Sequence, residues 1–552
     1  MKLVIVGGVA GGASAAARAR RLSEEAEIVM FERGEFISFA NCGLPYHVSN
    51  VIPERSSLLV MTPPKFKART NIDVRILHEV TRINRDRKTV TVRNLHTGET
   101  FEESYDKLIL ATGSSPVRPP IPGADDPDVM TLWTIPDMDR IRSRIDAGAK
   151  QAVVIGGGFI GLEVAENLRE RGLDVSLVEM LPQVLPPLDP EMTQPLTEML
   201  QNHGIDVRLR QKVTRIRRPE TDTTVSPQLQ IDLDNDDCLT ADLVVLSIGV
   251  RPNSELAQEA DLDLGERRGI KVNEKLQTSD PDIYAVGDVD EVNDLVRHRP
   301  TQIPLAGPAN RQARIAADVI FGRDSRYPGT LGTSVVKVFD LTAANTGANE
   351  KTLQQDGTEY QKIYIHPENH AGYYPGATTL SLKLLFAPDG AILGAQCVGR
   401  EGVDKRIDVL STAILNGMTI EDLENLELAY APPYGSAKDP VNFAGMVAAN
   451  ARRGDSDLVH ANAIPRDAFL LDVREEDEYA EGHIDNATLI PVGELRERLD
   501  EIPKDRLIAV YCKVGLRGYL AERVLKQAEF KAANLSGGWT TYCMYRDAGL
   551  LE

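Results

Sequence analysis

Two textures of hydrophobic and polar positions divide the chain. From Lys2 to Arg33 an apolar run leads into the glycine stretch GGVAGG (Gly7 to Gly12). An alanine-rich segment and a second apolar run, EIVMFER, follow. The same order returns from Gln151 to Met180 as AVVIGGGFIG, LEVAENLRERG and DVSLVEM. Unbroken apolar runs predict parallel strands covered on both faces, and a glycine turn opening a helix between two of them predicts a βαβ unit. LILATGS (Leu108 to Ser114), LSIGVRPN (Leu246 to Asn253) and DIYAVGDV (Asp282 to Val289) also stop at glycine turns. From about Thr333 the pattern changes to alternating strands with a helix, as in TTLSLKLLF and AILGAQCVG, predicting an α+β domain. The polar stretch NARRGDSDLVHAN (Asn450 to Asn462) reads as a linker before a last compact unit.

Composition narrows the class. The 552 residues, 42% hydrophobic and 26% charged, suit several packed domains and exclude a disordered or fibrous chain. A net charge of −20 argues against binding nucleic acid or anionic membrane, so an anionic substrate needs a local basic pocket. Five cysteines make no disulfide framework and indicate a reducing compartment. With no signal-peptide pattern and no long apolar span, the expectation is a cytoplasmic protein. No Cys/His cluster has metal-ligand spacing.

The glycine turns carry the first chemistry. A dinucleotide pyrophosphate must reach backbone amides at a helix N-terminus, which side chains would obstruct. Gly156, Gly158 and Gly161 complete a GxGxxG pattern. The first turn keeps Gly7 and Gly12 but has Val9 in the middle place. The acids Glu32 and Glu179 close the two units and are placed to bind ribose hydroxyls. No Arg follows Glu179 to accept a 2′-phosphate, which favours NADH over NADPH.

With two such sites, ATG and GD, residues 1–450 resemble the pyridine nucleotide–disulfide oxidoreductase flavoproteins. The resemblance implies FAD at Gly7, Gly8, Val9, Ala10, Gly12, Glu32, Arg33, Ala111, Thr112, Gly113 and Asp288. It implies NAD at Gly156, Gly158, Phe159, Ile160, Gly161, Glu179 and Gly249. The redox centre expected is Cys42 in FISFANCGLPYHVSN, its thiolate stabilised by a helix N-terminus and by flavin. Two-cysteine relatives have C-x4-C, whereas His47 stands in the second place here. Cys42 must then work through a mixed disulfide, persulfide or sulfenate.

SFANCGLPY, HAGYYPGA and YAPPYGSAKDPVN resemble the single-cysteine, coenzyme A–disulfide reductase branch. That resemblance implies coenzyme A contacts at Ser14, Arg18, Arg21, Ser38, Asn41, Gln302 and Lys438. Arg18 and Arg21 lie on one helix face as a basic patch, and Gln302 stands where the branch more often has His. It also implies a homodimer in which Tyr430 and one of Tyr373 or Tyr374 approach Cys42 from the partner subunit. The tail, with LLDVREEDEYAEGHIDNATLIP, VYCKVGLRG and LSGGW, resembles a rhodanese domain. Its six-residue loop would run from Cys512 to Arg517, the arginine closing a cradle of amides around a persulfide. Asp472 and Arg474 read as structural, and Cys238, Cys397 and Cys543 as bystanders.

The expected architecture is α/β. A FAD-binding domain takes 1–117 and 250–325, a NAD-binding domain 118–249, and an α+β dimerisation domain 326–450. A linker at 451–455 leads to a rhodanese domain at 456–552. The expected activity is NADH-driven, FAD-dependent reduction of sulfur–sulfur bonds in coenzyme A persulfide, polysulfide or coenzyme A disulfide. An NADH oxidase or peroxidase using a Cys42 sulfenate, and a sulfur carrier whose flavoprotein part docks coenzyme A, remain alternatives.

Overall fold

The computed structural model describes residues 1–219 and 228–551, so residues inside the expected NAD-binding domain and the last residue of the expected tail lie outside the description. The chain forms two compact units, Met1–Met180 with Gly204–Thr330, and Leu181–His203 with Leu331–Glu552.

The first unit holds two five-stranded parallel sheets. One runs Ile283–Ala285, Lys107–Leu110, Lys2–Val6, Glu27–Glu32, Asp73–Ile76 in spatial order. The other runs Asp206–Leu209, Asp174–Glu179, Gln151–Ile155, Leu243–Leu246, Val129–Met130. Their central strands are buried on both faces, as the continuous apolar runs require; Leu3, Val4 and Ile5 are fully covered. Each glycine turn joins its first strand to a helix, Ala10–Leu22 or Phe159–Glu170.

The second unit pairs a five-stranded antiparallel sheet (Ser334–Val338, Leu341–Gly347, Ile392–Gly399, Ser381–Phe386, Gln361–Ile365) with a five-stranded parallel one. The parallel sheet runs Leu458–Val459, Ala532–Leu535, Ile508–Tyr511, Phe469–Asp472, Thr488–Leu489.

Two stretches near the expected boundaries show how the chain is held there. Residues 181–203, inside the expected segment 118–249, group with the second unit. There Asp189 and Glu191, at the start of helix Pro190–Asn202, bind the Lys383 ammonium at 2.8 and 2.5 Å. The stretch 451–455 is no open linker. Helix Pro440–Arg453 runs through it and ends on left-handed Gly454. Arg452 and Arg453 pair with Glu421 and Glu424, each at 2.8 Å, so the polar residues there serve a helix surface. Ser456 and Asp457 are then held by the Glu522 carboxylate.

Candidate active site

The second glycine turn shows what each glycine does. Gly156 has φ +104°, and a Cβ on Gly161 would collide with the Gly156 carbonyl that lets the helix approach the strand. Gly158 has nothing within 4 Å of where a Cβ would be, leaving room above the amides of Phe159 and Ile160. That opening, with no acid in the helix's first turn, fits a pyrophosphate at the positive helix end. Glu179 is buried, and its Oε2 accepts the Gly157 N–H at 2.7 Å. Gly249, also with open space beside it, lies at the end of the neighbouring strand connection.

The first turn repeats this plan with Val9 as the N-cap of helix Ala10–Leu22, again with no acid in the first turn. A Cβ at Gly12 would meet the Gly7 carbonyl, and one at Gly7 would meet that of Ala111. Glu32 accepts the N–H groups of Gly8 and Gly34, each at 2.7 Å, while neighbouring Arg33 is exposed. Thr112 and Asn253 exchange hydrogen bonds at 2.8 Å, fixing the turn at Gly113. Ser114 donates to Asp288 at 2.7 Å, and burial pushes the Asp288 carboxyl above the usual range. Gly113, at the first site, and Gly158, at the second, each leave open space where a Cβ would be.

Cys42 lies in the short turn Asn41–Gly43 ahead of helix Leu44–Val48, and is exposed. The protein groups alone act on its thiol as follows. The protein around it, by removing water and then through the Glu163 carboxylate, pushes the thiol up, and a local backbone hydrogen bond offsets only part. His47 is a brace. Arg142 donates to its Nε2 at 3.0 Å and to its carbonyl at 2.7 Å, so Nδ1 carries the proton given to the Ile52 carbonyl at 2.6 Å. Both ring nitrogens are therefore engaged away from the thiol's chemistry.

Glu163 escaped the sequence reading. It sits two residues after Gly161 in the dinucleotide helix, and burial with nearby Glu166 raises its carboxyl to about 7 despite a 3.4 Å bond from Tyr46. The available signal was a pair of acids, Glu163 and Glu166, three apart among the apolar residues that open the helix.

The expected coenzyme A residues fall in both units. Ser14 donates to Asn310 at 2.5 Å, Arg21 is exposed, and Ser38 adopts φ +45° with its N–H on the Gly8 carbonyl. Asn41 is half-buried beside Cys42, and the Gln302 amide lies against Gly269. Arg18 corrects the basic patch. It is buried and ion-paired with Asp318 at 2.6 Å, so its charge is already matched while that of Arg21 faces solvent. Lys438 belongs to the second unit and is exposed beside Asp439, which anchors Arg406 at 3.0 Å and caps helix Pro440–Arg453. In the same unit the Tyr373 and Tyr430 hydroxyls meet at 2.9 Å, whereas Tyr374 packs edge-on against His370.

Cys512 follows strand Ile508–Tyr511 and is 1% exposed, its sulfur accepting the Gly515 N–H at 3.2 Å. Arg517 donates to both oxygens of Glu478, at 2.6 and 2.8 Å, and that carboxylate, with Cys512 as a weaker influence, keeps it firmly charged. The arginine is thus shared rather than dedicated to the sulfur, and Glu478 had no sequence signal. Asp472 and Arg474 form a buried pair at 2.7 Å, a structural brace. Buried Cys397 is pushed up to about 12, Cys543 is half-buried and Cys238 is exposed.

Residues 1–313 match the pyridine nucleotide-disulphide oxidoreductase family, residues 333–439 its dimerisation domain, and residues 456–544 the rhodanese-like domain. A coenzyme A disulfide reductase of Staphylococcus haemolyticus is 40% identical over 449 residues, 80% of this chain and 98% of that one. The crystal structure of reduced Bacillus anthracis CoADR-RHD is similar with a TM-score of 0.95 and 50% identity, covering 98% of both chains. A NAD-dependent persulfide reductase from A. fulgidus gives a TM-score of 0.92 and 40% identity over 98% of this chain and 100% of that one. A water-forming NADH oxidase from Lactobacillus brevis, 28% identical with a TM-score of 0.78, covers 82% of this chain and 99% of its own. The chain therefore belongs to the pyridine nucleotide-disulphide oxidoreductase family and carries a rhodanese-like domain at its C-terminal end.

Proposed function

We propose that the protein reduces sulfur–sulfur bonds of coenzyme A persulfide and coenzyme A disulfide, and of polysulfide, with NADH, through Cys42. The observation that carries this reading is the engagement of His47 by Ile52 and Arg142. With His47 braced in that place, Cys42 has no thiol in the helix that follows it to close a disulfide. When bound, NADH supplies a hydride and FAD relays its two electrons. The glycine turns at Gly7 and Gly156, with Glu32, Glu179 and Asp288, would hold the two dinucleotides. The Cys42 thiolate attacks the outer sulfur of a persulfide, coenzyme A leaves as its thiolate, and Cys42 becomes a persulfide. Two electrons then break the S–S bond, returning Cys42 as thiolate and releasing the outer sulfur, with its proton, as hydrosulfide. From the disulfide, the same attack forms a Cys42–coenzyme A mixed disulfide, and two electrons free the second coenzyme A.

Glu163, near 7, would exchange protons at working pH. Tyr373 and Tyr430, as a hydrogen-bonded pair, would serve Cys42 of the partner subunit in a homodimer, donating to a departing thiolate. At Cys512 the sulfur would be taken from a donor such as thiosulfate, releasing sulfite, and passed to an acceptor. Working through lone thiols suits a reducing, cytoplasmic setting.

The similar structure from Bacillus anthracis covers 98% of this chain, the rhodanese-like tail included, whereas the oxidase from Lactobacillus brevis covers 82%, which favours sulfur over oxygen as acceptor. The test is NADH oxidation against coenzyme A persulfide, coenzyme A disulfide, polysulfide and oxygen. Turnover with oxygen alone, matched to NADH consumed, overturns the reading.

A further inference from the structure

The buried face of the C-terminal parallel unit has no role in the proposed chemistry. Helix Gly538–Asp547 directs two side chains one turn apart, Thr541 and Tyr545, at strand Gln361–Ile365 and the residue after it. Thr541 Oγ1 lies 2.7 Å from His366 Nε2, whose other nitrogen is 3.0 Å from Ser381 Oγ. Tyr364 donates to Glu191 at 2.8 Å, so Tyr545 is the donor in the 2.8 Å bond between the two phenols. Tyr364 also donates its backbone N–H to Ser536 Oγ at 3.1 Å. Ser536, Thr541, Tyr364 and His366 are all buried.

Ser536 opens the turn Ser536-Gly537-Gly538, and the far side of that turn holds the Cys512 loop. Trp539 N–H donates to the Cys512 carbonyl at 2.8 Å, and Thr540 donates its N–H to the Lys513 carbonyl at 2.9 Å. The packing leaves no slack. A Cβ on Gly537 would collide with Thr541 Oγ1 and come within 2.8 Å of Tyr364 Cβ, and one on Gly538 would meet the Cys512 carbonyl. A single two-glycine turn therefore separates Tyr364 and His366, in the antiparallel sheet, from the backbone that shapes the sulfur site.

We propose that Tyr364 and His366 are positioning residues for the Cys512 loop, acting through Ser536, Thr541 and the Gly537–Gly538 turn. The sulfur chemistry of the tail then depends on residues about 150 positions earlier, because the loop's amides must hold their aim on the sulfur within about 0.5 Å. This rests on the proposed role of Cys512 as sulfur carrier.

The experiment uses the full-length holoenzyme and four variants: Thr541→Val, which keeps shape but loses the hydroxyl; Thr541→Ser, which keeps the hydroxyl; His366→Phe; and Ser536→Ala. Thiosulfate-to-cyanide sulfur transfer gives kcat and KM, and mass spectrometry follows Cys512 alkylation by iodoacetamide against pH. The expected result is a ~3–10-fold fall in kcat with KM for thiosulfate unchanged in Thr541→Val, His366→Phe and Ser536→Ala. The alkylation profile should move to higher pH in all three, Thr541→Ser should behave as the parent, and NADH-driven disulfide reduction should be unaffected. Unchanged kcat and alkylation profiles overturn the proposal. So does an equal loss of every activity together with thermal stability, which marks a merely structural contact. If the parent transfers no sulfur from thiosulfate, the Cys512 carrier reading fails, and the alkylation profiles alone still decide the positioning.

Discussion

Replacing Lys383 by Met tests how the second unit is held together. The Lys383 side chain is fully buried, and its ammonium meets Asp189 at 2.8 Å, Glu191 at 2.5 Å and Glu350. These three carboxylates crowd together as a metal site would, but the lysine is the cation among them. Lys362 adds a second ammonium on Glu350 at 2.9 Å. The consequence is written in Glu350, whose carboxyl is held down to about 2 by the lysines against the opposing effect of burial. A carboxyl at about 2 rather than its ordinary 4.5 contributes roughly 3 kcal/mol at neutral pH. Removing one partner of a buried pair costs a comparable ~3–5 kcal/mol. At ~2–4 °C per kcal/mol for a unit of this size, Lys383→Met should lower the melting temperature by about 10 °C at pH 7. Scanning calorimetry at one fixed scan rate measures it. Because the folded carboxyl lies below its unfolded value, the stabilisation is present above 4.5 and fades as pH falls toward 2. The gap between wild type and Glu350→Gln should accordingly narrow as the pH is lowered from 6 to about 3. A Lys383→Met melting point within about 2 °C of wild type would refute the reasoning.

Three further outcomes follow from the first unit. Gly161→Ala should disrupt the second glycine turn and its fold, whereas Gly158→Ala should stay folded and raise the KM for NADH about tenfold, read by calorimetry and steady-state rates. Glu179→Ala should erode an NADH preference over NADPH of about tenfold, worth ~1.4 kcal/mol; equal efficiency of the two cofactors in the parent would remove the argument. Glu163→Gln removes a carboxylate that disfavours the Cys42 anion, so Cys42 alkylation should shift to lower pH, and the wild-type activity profile should show an inflection near 7 that the variant lacks.

Features that need only a short stretch of chain were legible before the structure. The glycine turns could be read because Gly156 and Gly161 meet backbone constraints within six residues of one another. His47 in the second cysteine place and the Cys512 to Arg517 loop were expected from short motifs that resemble known families. Features assembled from distant segments were not. Arg18 looked like half of a basic patch because Asp318, which neutralises it, comes 300 positions later. Lys383 reads as an ordinary position in an alternating strand, and its partners Asp189, Glu191, Glu350 and Tyr364 come from three other segments. The polar residues at 451–455 suggested a tether because composition does not distinguish a solvent-facing helix end from a loop. Cys42 was expected to have its thiolate stabilised by a helix end and by flavin; the following helix is only five residues long, and, after burial, the effect of Glu163, which also raises the thiol, comes from a segment 121 positions later.

The central claim, that Cys42 is the atom through which sulfur–sulfur bonds are reduced, is tested most directly by Cys42→Ser in a rapid-mixing experiment. NADH should still bleach the flavin absorbance of the variant at close to the wild-type rate, since taking up the hydride does not need the thiol. Turnover of coenzyme A persulfide and coenzyme A disulfide should fall by about three orders of magnitude or more, because a serine hydroxyl forms no mixed disulfide. A variant that keeps near-full persulfide and disulfide reduction would contradict the account and place the redox centre elsewhere.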